Sequence, residues 1–218
     1  FDSLDPGLAE LVRLEHARAL NETGRSNDAQ RMLAALGASA RSNGIASRAT
    51  IELASIMIEE SRHAEAIDVL DSLFESASLP AAMCDAARYQ AVWARFSLGE
   101  HQAVIDLLDG STPACDSHEL TTATRFLLAE SLLAVGRASA AADRFAVIVL
   151  TAPESAEHAP SLLRLGEAQG AAQRWTESTA AYTTYLETYP DSSDWFRARF
   201  GLGWAAENAG DPEGAMSH

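Results

Sequence analysis

"LLRLGEAQGAAQRWTESTAAYTTYLETYPDSS", residues 162–193, opens as an apolar helix with Gly166 in its middle, breaks at a polar turn and resumes as a second amphipathic helix that stops at Tyr189-Pro190. Glycine inside a helix costs about 1 kcal/mol relative to alanine. A compensating contact is therefore expected, and the usual one is another helix passing too close for a side chain. Whether the rest of the chain supplies such a helix decides the fold.

It does so repeatedly. Arg88-Tyr89, Arg125-Phe126 and Arg199-Phe200 sit in similar surroundings, the first two pairs 37 residues apart and the last 74 beyond the second, which leaves room for one unit between them. A 34-position frame started at residue 159 recurs from 10, 47, 85, 122 and 196, so the step is 37 or 38. Its eighth position reads Ala17, Ala54, Val92, Ala129, Gly166 and Gly203, and its twentieth Ala29, Ala66, Val104, Ala141, Ser178 and Ala215. Two columns of small residues are what two crossing antiparallel helices need. Gly166 then lies where the paired helix passes.

Other columns agree. The fifteenth position, between the helices, is Gly24, Ser61, Gly99, Gly136, Gln173 and Gly210, mostly the residue that ends a helix in the left-handed conformation. The twenty-fourth is Leu33, Leu70, Leu108, Phe145 and Tyr182, large enough to fill the space between neighbouring units. Pro153 and Pro190 both occupy the thirty-second, where a second helix should stop.

These columns resemble the tetratricopeptide repeat family, most closely in the units starting at 122, 159 and 196, and the resemblance runs over residues 10–218. The fourth position departs from it, being arginine in four units (Arg13, Arg88, Arg125 and Arg199), and the third unit has a short second helix closed by Pro113. What the resemblance implies is an all-α fold, a right-handed superhelix of antiparallel helix pairs with about five and a half repeats, in a single repeat domain over 1–218. The 37-residue step and the ending "YPDSS" at 189–193 are similar to a more specific group, bacterial cell-envelope repeat proteins of the Tol-Pal coordinator and outer-membrane assembly lipoprotein type.

The family's first helices line a concave groove that holds extended or helical peptide. Carried over at the second, fifth, ninth and twelfth positions, the groove comprises Tyr89, Trp93, Phe96, Phe126, Glu130, Leu133, Leu163, Glu167, Phe200, Trp204 and Glu207. Aromatic anchors of this kind carry much of the energy at interfaces; the chain's net acidity reads first as a solvated, mutually repelling surface and second as a preference for basic partners. For Tyr89, Phe126 and Phe200 the competing reading is packing of neighbouring rings along the inner wall. The fourth-position arginines read best as packing residues paired with acids on the preceding second helix, Asp71 below Arg88 for example.

Composition narrows the function further. Thirty-one acidic residues against sixteen basic ones give a net charge of -15, and every basic residue is arginine. With the arginines scattered and no lysine, neither nucleic-acid binding nor the lysine-dependent grip on a C-terminal carboxylate seen in some family members is expected. No apolar run is long enough to span a bilayer. The six histidines show no metal-ligand spacing and no nucleophile motif is present, so neither an enzyme nor a metal or other cofactor is expected. His63 and His101 share the seventeenth position with Trp175, which favours packing.

Cys84 and Cys115 bracket the third hairpin at the same end, within reach of a disulfide or left as free thiols. A sixth unit that stops at His218 lacks a polar cap, so the chain reads as a segment of a longer protein whose open end offers a site for self-association. The leading expectation is an interaction scaffold, with a self-associating spacer module as the alternative and a helical-repeat enzyme third. The sequence favours the periplasm or cell envelope only slightly over the cytoplasm.

Overall fold

The structure is a computed structural model and describes residues 5–76, 79–109 and 120–210. Among these residues every regular element is helical: α1 (Pro6–Glu22), α2 (Ser26–Ser39), α3 (Asn43–Glu59), α4 (His63–Ser76), α5 (Ala81–Ser97), α6 (His101–Asp109), α7 (Thr122–Ala134), α8 (Ala138–Thr151), α9 (His158–Ala171), α10 (Trp175–Thr188) and α11 (Trp195–Asn208). They fall into two compact units, Phe1–Glu119 and Leu120–His218. In the first, each helix from α1 to α6 packs on its predecessor, and α1, α3 and α5 also touch in sequence; in the second, α7 to α11 pack successively and α9 touches α11. This alternation of first and second helices is the arrangement the columns require.

The hairpin turns share one backbone device. Gly24, Gly99, Gly136 and Gly210 have φ between 76° and 84°, and Ser61 and Gln173 adopt the same left-handed conformation at 62° and 60°. At five of the turns the next amide donates to a carbonyl five residues back: Arg25 to Leu20, Arg62 to Met57, Glu100 to Arg95, Arg137 to Leu132 and Arg174 to Gln169, all at 2.8 or 2.9 Å. This is the Schellman closure, which satisfies carbonyls left over at a helix end. At the opposite ends, α8 stops at Thr151 and α10 at Thr188, two residues short of Pro153 and Pro190.

The small columns are interior. Ala17, Ala54, Val92 and Ala129 of the eighth position and Ala29, Ala66, Val104, Ala141 and Ser178 of the twentieth are wholly shielded from solvent, and Gly166 is buried with them. Gly166 faces the ring of Tyr182: a Cβ built there would meet Cε1 at 2.8 Å, and the same ring would meet a Cβ at Gly201 through Cζ at 2.4 Å. Tyr182, on α10, is thus a wedge held between α9 and α11. Ser178 joins the two columns directly, its Oγ donating to the Gly166 carbonyl at 2.7 Å. Phe145, the corresponding twenty-fourth residue of the preceding hairpin, is fully buried on α8.

Two expectations change or fall away here. Asp71 pairs with Arg95, both carboxylate oxygens accepting from Nη2 at 2.6 Å, and not with Arg88. Arg88 and Arg95 lie seven residues, two turns, apart on one face of α5, so the face is as expected and the register differs. Pro113 and Cys115 lie outside the described residues; Cys84 is fully buried in the first turn of α5, and no cysteine among the described residues is a free thiol.

Candidate protein-binding surface

The first helices carry the residues expected to meet a partner, and the structure sorts them. On α5, Tyr89 and Trp93 are exposed at 38% and 41%. Phe96, one turn on, is half-buried with its ring edge-on to His101, centroids 5.2 Å apart. In the second unit Phe126 is half-buried against Phe145, the two rings T-shaped at 5.7 Å, which is packing of the kind the competing reading foresaw but against a second helix. Leu163 is buried and Leu133 half-buried, while Phe200, Trp204 and Glu207 are exposed. Trp204 rests edge-on against Trp175, centroids 4.9 Å apart, so one side of its indole is fixed and the other open.

The expectation of an acidic groove is corrected in the second unit. Arg164 is sandwiched between two glutamates, pairing with Glu130 through two hydrogen bonds and with Glu167 at 2.5 Å. Arg197 then meets Glu167 at 2.6 Å. Hydrogen bonding to Glu130 is the main reason the Arg164 guanidinium is held above its ordinary pKa, against the opposing effect of its burial. The two glutamates are neutralised before any partner arrives. Between α7, α9 and α11 these side chains enclose a hollow of about 350 Å³ lined by Phe126, Glu130, Pro160, Leu163, Arg164, Asp194 and Arg197.

The first unit presents a different surface. A hollow of about 570 Å³ between α1 and α3 is lined by Glu15, Arg18, Glu22, Glu52, Ser55 and Glu59 among others. Arg18 donates to Glu52 at 2.9 Å and to Glu15 at 3.0 Å, and the Glu52 hydrogen bond above all raises its pKa. Glu22 and Glu59 pair with no arginine among the described residues. The sequence reading missed this surface because its carboxylates occupy the sixth and thirteenth frame positions. The signal was present: Glu15 and Glu22, then Glu52 and Glu59, repeat a seven-residue spacing in two successive units.

Among the described residues no three His, Cys, Asp or Glu side chains gather as metal ligands, and no helix is long and apolar enough to cross a membrane.

A tetratricopeptide repeat family model matches residues 161–192, nearly the stretch around Gly166 quoted at the outset. A tetratricopeptide repeat protein from Parabacteroides merdae superposes with a TM-score of 0.68 at 15% identity, over 96% of this chain and 77% of its own. The chain has the tetratricopeptide repeat fold. MamA residues 41-end from Desulfovibrio magneticus RS-1 gives 0.64 at 16% identity, covering 79% of this chain and 90% of that one. YrrB, described as a tetratricopeptide repeat protein with an unusual peptide-binding site, also gives 0.64, at 14% identity, covering 78% and 80%. No curated protein matches the sequence significantly. Proteins of this repeat class are in general non-catalytic scaffolds for other proteins.

Proposed function

We propose that this chain is a protein-interaction scaffold that binds segments of other proteins on the faces of its first helices. The observation carrying the reading is the set of exposed aromatic rings, Tyr89 and Trp93 on α5 and Phe200 and Trp204 on α11; the counterparts of Tyr89 and Phe200 in other first helices, Leu14, Ile51 and Leu163, are buried. Large rings in partly preformed settings are the usual anchors of an interface. Within this reading the partner is basic, because the hollow between α1 and α3 sets four carboxylates against one guanidinium. A bacterial cell-envelope setting is its most specific form, supported by the 37-residue step and the "YPDSS" ending.

The test is selection of binding peptides from a random display library on the immobilised chain, followed by titration of the enriched sequence. Trp93→Ala or Trp204→Ala is expected to weaken that peptide by about tenfold or more, since an anchor contributes on the order of 1.4 kcal/mol or above. Undiminished binding in both variants would refute the aromatic-anchor reading. A peptide without basic residues, bound equally well at high salt, would remove the acidic hollow from it.

The pairing of Cys84 with Cys115 belongs to the same proposal, as a clasp on the third hairpin. Intact-mass measurement of the denatured chain is expected to show a gain of two hydrogens on reduction. An unchanged mass would leave the hairpin without the clasp.

A further inference from the structure

Tyr182 carries one atom that packing does not use. At its frame position the earlier hairpins place Leu33, Leu70 and Phe145, wholly apolar and buried. Tyr182 fills the same place, 4% exposed, with a hydroxyl added. Among the described residues that hydroxyl makes no hydrogen bond, whereas the buried phenol of Tyr185 on the same helix bonds Ser192 at 2.6 Å. Nor is its oxygen one of the unpartnered atoms sealed from solvent, so the little of the side chain that stays open includes the oxygen.

Glycine leaves it uncovered. The ring passes between α9 and α11 beside Gly166 and Gly201, and a Cβ on Gly201 would lie 2.7 Å from Oη, so even a methyl group there would cap the hydroxyl. The charges acting on the phenol show which face it reaches. They are those of Glu167, Arg197 and Arg164, the linked trio on the open side of α9 and α11. Arg164 and Arg197 also wall the hollow of about 350 Å³ between α7, α9 and α11. Trp204 stands one turn beyond Gly201 on the same helix face.

The chemistry required of a partner follows. Glu130 and Glu167 already accept from Arg164, and Glu167 from Arg197 as well, so two carboxylates and two guanidiniums cancel and favour neither sign of charge. Burial above all raises the phenol's pKa, which leaves a neutral hydroxyl with a hydrogen to donate. A neutral donor beside cancelled charges suits a neutral acceptor, and an extended segment carries one at every residue, its main-chain carbonyl. We propose that the Tyr182 hydroxyl donates a hydrogen bond to a main-chain carbonyl of a segment bound along α9 and α11. This rests on the scaffold reading and adds to it a fixed polar point beside the Trp204 anchor. Such a bond sets the register of the segment without reading its side chains.

The test takes a peptide selected on the full chain whose affinity falls with Trp204→Ala, and titrates it against Tyr182→Phe. Phenylalanine keeps the wedge and removes the hydroxyl. The urea midpoint should therefore stay where it is while the peptide binds about three- to tenfold more weakly, the usual worth of one hydrogen bond. Replacing the peptide's carbonyls one at a time by thiocarbonyls, whose sulfur accepts weakly, probes the same bond on the unaltered chain. One position is expected to weaken binding to the parent by a similar factor and to leave binding to Tyr182→Phe unchanged. Equal affinity of parent and Tyr182→Phe overturns the proposal. Should Tyr182→Phe disturb the fold, the thiocarbonyl series on the parent decides, and no weakened position overturns it. A weaker Tyr182→Phe with no sensitive carbonyl means that the hydroxyl meets a side chain, and the main-chain assignment falls. If no selected peptide depends on Trp204, the second unit holds no segment, and the scaffold reading of that unit fails together with the proposal.

Discussion

Alanine at both Gly166 and Gly201 is expected to destabilise the second unit by about 2–4 kcal/mol, although alanine is the better helix former at each site by about 1 kcal/mol. The reason is Tyr182. A methyl group at residue 166 would lie 2.8 Å from its Cε1, and one at 201 would lie 2.4 Å from Cζ and 2.7 Å from Oη. One such clash could be relieved by tilting the ring; two from opposite sides leave it nowhere to go. Overpacking of this kind costs roughly 1–3 kcal/mol per site, which outweighs the helix gain. Urea unfolding followed by tryptophan fluorescence checks it, since Trp175, Trp195 and Trp204 all belong to this unit. In a Tyr182→Ala background the same glycine substitutions should become neutral or stabilising. If they remain as costly there, the ring is not what excludes the side chains. Burial also raises the phenol's pKa well above its ordinary 10.0; the neutral ring's contribution is complete below that value and declines as alkaline pH ionises the unfolded state.

Phe145→Ala should be still more damaging, by about 3–5 kcal/mol. The side chain is fully buried and stands T-shaped against Phe126, so truncation removes both its transfer energy and an aromatic contact. For a unit of this size each kcal/mol moves the melting temperature by about 4–8 °C, so a fall of more than about 12 °C in thermal unfolding is the expected result. Phe145→Leu, which refills most of the volume, should cost less than half as much. Phe200→Ala, at an equally aromatic but 80% exposed position, should stay within about 0.5 kcal/mol. A loss at Phe145 no larger than that at Phe200 would mean that the twenty-fourth position does not hold the hairpins together.

The contrast between Phe145 and Phe200 also shows where the sequence is legible. Small residues at the crossing points admit one explanation each, and Gly166, Ala129 and Ala141 are interior because nothing larger fits between the helices. The turns are equally readable, to the extent that Ser61 and Gln173 take the same left-handed geometry as the glycines around them. Aromatic residues are harder. A ring is equally at home against Phe145, as Phe126 is, or in solvent beside a fixed neighbour, as Trp204 is, and the spacing of the two is alike. Long charged side chains are the least legible, since an arginine reaches over two turns and several acids compete for it. Asp71 meets Arg95 in place of Arg88 for this reason, and Glu130 and Glu167 are taken up by Arg164 and Arg197. The 34-residue spacing that links Arg18 to Glu52 and Glu130 to Arg164 was there to be found, but only once the ninth position of one hairpin is known to face the sixth of the next.

Those two bridges run in opposite senses: arginine precedes glutamate in the first unit, and glutamate precedes arginine in the second. Hairpins cut and rejoined across the two units would thus confront Arg18 with Arg164, or Glu130 with Glu52, at part-buried sites where water screens the repulsion only in part. Modules that share a backbone have in this way become non-interchangeable, and the order in which they follow one another is written in the polarity of a single cross-link.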